Sequence, residues 1–303
     1  MHRQTGVALI TALLITALVT VIAVAMASEQ QLDIRRTSNI MDTDRAFIFG
    51  LGVESWAKEI LRRDRQNSKT DDLTEDWAVV LPPLSVEDAT VSGHIVDMTG
   101  RFNLNDLVQQ GKADTVSIEE FKRLLAAVGL NPDLAMAVVD WIDPDSQVSF
   151  PAGAEDTEYM NLTPPYRAAN QPMVSPSELL LVKGFDLKSY RKLAPYVAAL
   201  PEPTQVNVNT ASAPVLMAVV QGLSEADAKG IVDDLKKNGF KTLGDFKKRV
   251  SSYTVSPNVG VQSSYFLAES ETHFGRGRMQ LYSLLSRAAD GKVTTITRSE
   301  GVY

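Results

Sequence analysis

The chain has no cysteine, which excludes a disulfide framework, thiolate metal sites and a thiol nucleophile. Histidine is nearly as scarce. His2, His94 and His273 stand far apart in the sequence, a distribution that argues against a histidine-based triad or zinc site. No GxSxG, P-loop or dinucleotide-binding motif occurs. Cationic excess is missing too: the net charge is −7 and the pI about 5.1, which disfavours nucleic acid as the main partner. What is left is ordinary globular material. Of 303 residues, 44 % are hydrophobic and 22 % charged, enough for one or two sizeable cores. A domain without disulfides can use a bound metal as its staple.

One stretch is far from ordinary. Residues 7–27 contain only Thr11, Thr16 and Thr20 as polar side chains. At about 1.5 Å per residue the run makes a helix of roughly 31 Å, long enough to cross the hydrocarbon core of a bilayer. A helix satisfies its own backbone there, and threonine hydroxyls bond back to the preceding turn. Two other readings fit the same run. Ala25-Met26-Ala27 is an A-x-A site, so a signal peptide cut after Ala27 would release a soluble protein, although the run exceeds the usual apolar region of about 7 to 15 residues. An uncleaved signal anchor is the other.

Neither explains why a short leader stops at Gly6. The junction Arg3-Gln4-Thr5-Gly6 followed by Val7-Ala8-Leu9-Ile10 resembles the leader of type IV prepilins and type II secretion pseudopilins. That resemblance implies a cut by the prepilin peptidase between Gly6 and Val7, methylation of the new N-terminus, and retention of the apolar helix. Two positions depart from the common pattern: Val7 stands where Phe or Met is usual, and Thr11 stands where most members carry glutamate. In the family that glutamate pairs with the N-terminal ammonium of a neighbouring subunit, because an unpaired charge in apolar surroundings is costly. A subunit with no neighbour above it has no such need. Thr11 is therefore tip-specific in this reading and resembles the K-type minor pseudopilins, the general secretion pathway protein K family.

No proline interrupts residues 28–65, and Leu32, Ala46, Phe49, Val53, Trp56, Ala57, Ile60 and Leu61 recur near helical spacing. The expectation is one stem helix over residues 7–65, with two helices broken near Ser38-Asn39 as the competing reading. Residues 66–83 read as a connection, residues 90–98 as a strand, and residues 101–104 as another short strand. Residues 117–141 read as two helices, the first with a Ser117/Glu120 capping box; residues 177–182 and 187–197 read as short helices, all without strand signals. Helices follow at 213–220, 225–237 and 242–250. Residues 264–273, 278–287 and 292–298 read as strands, the second pair joined at Asp290-Gly291. Because sheets need three or more strands, the strand near Thr90 is expected to join those at the far end. The fold class is thus α+β: a type IV pilin-like long helix on an antiparallel sheet, with a large all-α insertion. The expected division is leader 1–6, membrane half of the stem 7–27, stem and first strands 28–105, insertion 106–257, and closing strands 258–303.

Two constellations stand out. Asp140, Asp143, Asp145, Glu155, Asp156 and Glu158, with Gln147 among them, place six carboxylates within nineteen residues of a loop punctuated by Pro144, Pro151 and Gly153. Oxygen ligands without His or Cys suit Ca²⁺. The loop is not an EF-hand, since Val148 and Ala154 occupy the glycine and bidentate-glutamate positions, and a solvated acidic loop is the plain alternative. The segment that continues through Pro164-Pro165-Tyr166-Arg167 and Asn170 to Ser177-Glu178 resembles the calcium-binding part of the K-type insertion. The resemblance implies a structural Ca²⁺, with Asn170 or Glu178 orienting the loop and the Pro-Pro-Tyr stretch walling it.

The second constellation, Val206-Asn207-Val208-Asn209-Thr210 with Gly222-Leu223-Ser224, looks like a helix-hairpin-helix, a module that binds DNA backbones. Ser224 replaces its second glycine, and residues 204–250 carry seven Lys or Arg against five acids. A membrane-anchored periplasmic DNA-binding protein is therefore the alternative. A secreted hydrolase would need a catalytic group that the chain does not offer, so no enzyme is expected. By resemblance, the partners are the I-type and J-type minor pseudopilins, the pseudopilus and its inner-membrane platform, and exported proteins. The expected location is the inner membrane, single-pass, with the bulk in the periplasm.

Overall fold

The computed structural model describes residues 5–301; Arg3 of the leader lies outside them. A single helix, α1 (Thr5–Asn67), runs for 63 residues without a break at Ser38 or Asn39. In its apolar half the threonine hydroxyls donate to carbonyls of the preceding turn: Thr11 to Val7 and Ala8, Thr16 to Leu13 and Thr20 to Thr16. The side chains of residues 6–40 are exposed; burial sets in at Asp42, and Ala46, Val53, Ala57 and Leu61 form the face that meets the rest of the molecule.

That face lies on a five-stranded antiparallel sheet in the order β1 (Leu81–Val86), β2 (Ala89–Asp97), β3 (Tyr265–Phe274), β4 (Gly277–Arg287) and β5 (Val293–Glu300). The strand near Thr90 pairs with the distant β3, His94 opposite Glu269 and Val96 opposite Leu267. β1 is a correction, because residues 81–86 were expected to be partly connection. Pro82 and Pro83 cannot donate to a ladder, and they are accommodated on the edge strand where its register slips between Leu81 and Leu84.

Period-two alternation gives the sheet two apolar faces at one end. Ile95, Phe266, Ala268 and Leu285 face Ala57, Leu61 and Trp77, while Met98, Tyr265, Leu267 and Leu284 face Ala198 and Leu200 of the intervening segment. Each fully buried side chain of this size contributes about 1.5 to 3 kcal/mol. The stem is also tied by charge. Glu54, almost fully buried, accepts from Arg298, Thr295 and Ser283 and pairs with Lys58 at 2.7 Å. Burial disfavours its ionised form, but those four partners outweigh it and hold the carboxyl well below the usual range.

Between β2 and β3 the chain builds its largest core, reaching from Phe102 to Val259, from helices α2 (Thr115–Ala127), α3 (Leu134–Ile142), α4 (Asp156–Tyr159), α5 (Leu187–Leu193), α6 (Ala213–Val219), α7 (Glu225–Leu235) and α8 (Leu243–Arg249). Four expectations change here. The cap of α2 is Asp114, whose carboxylate accepts from Ser117 N; the expected partner Glu120 is buried and accepts from Ser256 instead. Residues 176–181 form a 3₁₀ turn capped by Ser175. α5 stops at Leu193, before Pro195, and a 3₁₀ turn follows. The region also contains short bridges, such as Phe102-Asn103 beside Val197-Ala198, which strand-length periodicity cannot reveal.

Insertion and sheet meet in a buried polar junction. Asn207 donates its Nδ2 to Asp71 O, Asp97 Oδ2 and Ser263 Oγ. Arg287 pairs with Asp71 and, at 2.8 Å, with Asp64, donates to Ser263 O, and lies over the Phe266 ring. Burial, with Glu75 nearby, pushes Asp64 up to about 7 against the pull of Arg287.

Candidate metal centre

α3 is short and apolar, and its C-terminal end carries Asp140 inward while the chain turns out at Asp143. Asp140 accepts from Ser149 N at 3.0 Å, folding the loop back onto the helix end. Gly153 completes the turn: a Cβ there would overlap Asp140 Oδ2 and Ser149 O. The consequence is that Asp143, Asp145 and Glu155 converge, each offering an oxygen within 4.8 Å of the others.

The electrostatics of that cluster are unfavourable as it stands. Asp143 and Glu155 are buried, yet Asp143 Oδ1 and both Glu155 oxygens have no hydrogen-bond partner. Burial first, then the repulsion of Asp145 and Asp140, raises Asp143 to about 6. Burial first, then Asp140 and Asp143, raises Glu155 to about 7. Asn170 joins them with backbone in the left-handed region, φ 47°. Its Nδ2 donates to Asp145 O at 3.3 Å, its backbone N donates to Trp141 O, and its Oδ1 is buried without a partner. Buried orphan acceptors of this kind are rare and call for an explanation. All four atoms are oxygens, which fits a hard divalent cation and offers nothing to a soft one.

The remaining expected residues stand elsewhere. Asp156 accepts from Ala168 N and lies 3.7 Å from Arg167; Glu158 pairs with Lys183 at 3.2 Å. Gln147 is exposed, and its backbone N donates to Asp145 Oδ1. Glu178 ties the loop from behind, accepting from Val174 N, Ser175 N and Trp141 Nε1. Trp141, Tyr159 and Tyr166 form an aromatic wall, with Tyr166 donating to Leu181 O.

The hairpin of α6 and α7 turns at Gly222, φ 86°. Its motif residues are spent on structure: Asn207 holds the junction, and Asn209 exchanges hydrogen bonds with the backbone of Phe240. At the start of α7, Ser224 Oγ accepts from Asp227 N, and Asp227 Oδ2 accepts from Ser224 and Tyr253. A carboxylate therefore sits at the amides that a phosphate would approach, which opposes backbone binding.

A long apolar helix leaving an antiparallel sheet, with a helical insertion carrying an acidic loop, defines a pilin-like subunit whose stem is long and apolar enough to cross a membrane. Family models described as type II secretion system protein K match residues 100–202 and 206–266. Type II secretion system protein K of Pseudomonas aeruginosa is 38 % identical, over 98 % of this chain and 93 % of its own length. The Klebsiella pneumoniae protein of that name is 33 % identical, over 100 % and 98 %. The crystal structure of the GspK-GspI-GspJ complex from the type 2 secretion system of enterotoxigenic Escherichia coli contains a similar chain. It matches with TM-score 0.78 and 24 % identity, over 88 % of this chain and 100 % of that one. The chain belongs to the type II secretion system protein K family.

Proposed function

We propose that this chain is the minor pseudopilin at the tip of a type II secretion pseudopilus, where it initiates or caps assembly for the export of folded proteins. One observation carries the reading. The stem leaves the body beside the β3–β4 turn, where Asp42 accepts from Arg276 N, while the insertion packs on Met98, Tyr265 and Leu267 at the far end of β3. Ten strand residues separate the two ends, about 34 Å. The bulk thus stands away from the membrane, where a further subunit would have to be added. Thr11 supports the same placement: its hydroxyl is spent on Val7 O and Ala8 O, and it brings no charge for a neighbour to pair. The leader is cut between Gly6 and Val7 by the prepilin peptidase. The I-type and J-type minor pseudopilins are the partners, the periplasm holds the bulk, and the work is structural.

The acidic loop binds one structural Ca²⁺ in this reading, with Asp143, Asp145 and Glu155 as ligands and Asn170 Oδ1 as a further oxygen; Asp140 and Glu178 hold the loop in shape. The ion's two charges offset most of the repulsion among three clustered carboxylates. The first test is the intact mass and N-terminal sequence of the protein taken from membranes. A chain that begins at Val7 with one added methyl is expected; one beginning at Met1 or Ser28 would remove prepilin processing and with it the filament role.

A further inference from the structure

Four carboxylates and one guanidinium meet where stem, sheet and insertion come together. Asp64 stands in the last turn of α1, Asp71 and Glu75 on the segment that leaves it, Asp97 at the end of β2 and Arg287 at the end of β4. Asp64, Asp71 and Glu75 each offer an oxygen within 4.8 Å of the others. Arg287, its side chain 2 % exposed, pairs with Asp64 at 2.8 Å and with Asp71. Two cations on the packed elements are engaged elsewhere: Arg65 donates to Ala289 O and Gln262 Oε1, and Lys241, largely exposed, pairs with Asp72. The four acids are unequally supplied with donors. Asp71 accepts from Ser263 N as well as Arg287, Glu75 from Asp72 N and Trp77 Nε1, and Asp97 from Thr99 N, Asn207 and Ser263 Oγ. Among the described residues, Asp64 accepts from Arg287 alone. One buried guanidinium cannot offset four ionised acids, so a proton belongs in the cluster, and Asp64 is the acid that takes it. Burial, with Glu75 nearby, accordingly raises that carboxyl to about 7.

The same residues fasten the insertion. Asp71 N donates to Val261 O where the chain returns from it, Ser263 N donates to Asp71, and Asn207, from within it, donates to Asp71 O and Asp97. The remaining hold is apolar, through Ala198 and Leu200 on the sheet, and no proton affects it. We infer that this junction is a proton-linked latch: with Asp64 protonated the insertion is held on the sheet, and loss of that proton sets one more negative charge beside Asp71 and loosens the hold. The opening is local, because the β3–β4 ladder beyond Ser270 has no part in the cluster. A carboxyl at about 7 in the closed latch and roughly 4 in the open one makes opening up to about tenfold easier for each pH unit between those values, and no easier above them.

Native-state hydrogen exchange of the full chain in detergent tests this, read by mass spectrometry from pH 5.5 to 8.5 and corrected for the intrinsic pH dependence of exchange. Segments holding the amides of Asp71, Asn207 and Ser263 are expected to exchange at least tenfold faster at pH 7.5 than at pH 5.5, and to change less than twofold from there to pH 8.5, while residues 270–280 hold steady. Corrected rates that ignore pH, or that rise equally in residues 270–280, overturn the inference. Asp64→Asn, which keeps the shape without the charge, should remove the pH dependence. Its survival in that variant would assign it to other groups, such as Asp143 and Glu155 of the acidic loop, and end the proposal. If that variant fails to fold, Glu75→Gln decides in its place. With one charge fewer against Asp64, the ratio of rates between pH 7.5 and 5.5 should fall at least threefold, and an unchanged ratio overturns the inference as well.

Discussion

At the scale of single residues, the acidic loop is a conflict that the proposed cation would resolve. Asp143 and Glu155 ionise reluctantly because they are buried beside other carboxylates, at about 6 and about 7. A carboxyl whose pKa is raised on folding supports the fold fully below its unfolded value of roughly 4, and that support is lost as pH rises through the folded value. Metal-free protein should therefore lose stability between about pH 4.5 and 7.5. The proposed calcium would bind only the ionised pair, so it should restore more at the upper end. At a hundredfold excess over Kd the gain is about 2.7 kcal/mol, or several degrees in Tm. Calorimetry with Ca²⁺ and with chelator at pH 5 and pH 7.5 checks this; equal shifts at both pH values would refute the site. Glu155→Gln supplies the converse. It should raise the metal-free Tm at pH 7.5, because one repelling charge is gone, and weaken calcium at least tenfold by titration.

At the scale of elements, the polar junction sets how the insertion stands on the sheet. Arg287 pairs with both Asp64 and Asp71 within a buried network. Removing one partner of a buried pair costs about 3 to 5 kcal/mol because the other charge is stranded. Arg287→Met should cost that much at pH 7.5 and clearly less at pH 5, where Asp64, raised to about 7 by burial, takes up a proton; thermal melts at both pH values decide, and an equal loss would contradict the account. Regular elements were readable from sequence because period carries them: the stem over Ala46, Val53 and Leu61, and the strands over Val91 and Ile95. β1 was hidden by Pro82-Pro83, whose edge position only the sheet defines. The cap of α2 was misplaced because Asp114 and Ser117 both suit a helix start and only burial of Glu120 separates them. Within the acidic loop, composition pointed to Asp143, Asp145 and Glu155, but it could not separate them from Asp156 and Glu158, which differ only in facing Ala168 N and Lys183. Asn170 reaches Asp145 O from a backbone turn 25 residues further on, and no spacing rule brings it to the candidate site.

At the scale of the whole molecule, the tip role is a claim about shape more than about charge. Thr11 lies in the exposed apolar half of the stem, remote from the cores of the body, so Thr11→Glu should leave the melting temperature unchanged. The insertion is different. It covers the distal face of β3 and β4 through Ala198 and Leu200, while the stem and sheet keep a separate core around Ala57, Leu61, Trp77, Ile95 and Phe266. Replacing residues 106–257 by a short linker, with Leu267 and Leu284 changed to Thr to suit the newly exposed face, should leave a stem-and-sheet subunit that still reaches the membrane. If the insertion blocks addition of a further subunit, pseudopili built with this subunit should differ in length or number from those built with the full chain, as counted by electron microscopy. If the insertion serves only to meet exported cargo, filaments would be unchanged and secretion alone would fall. Wild-type filaments from a truncated subunit shown to fold would therefore end the capping idea while leaving the anchoring of the stem intact.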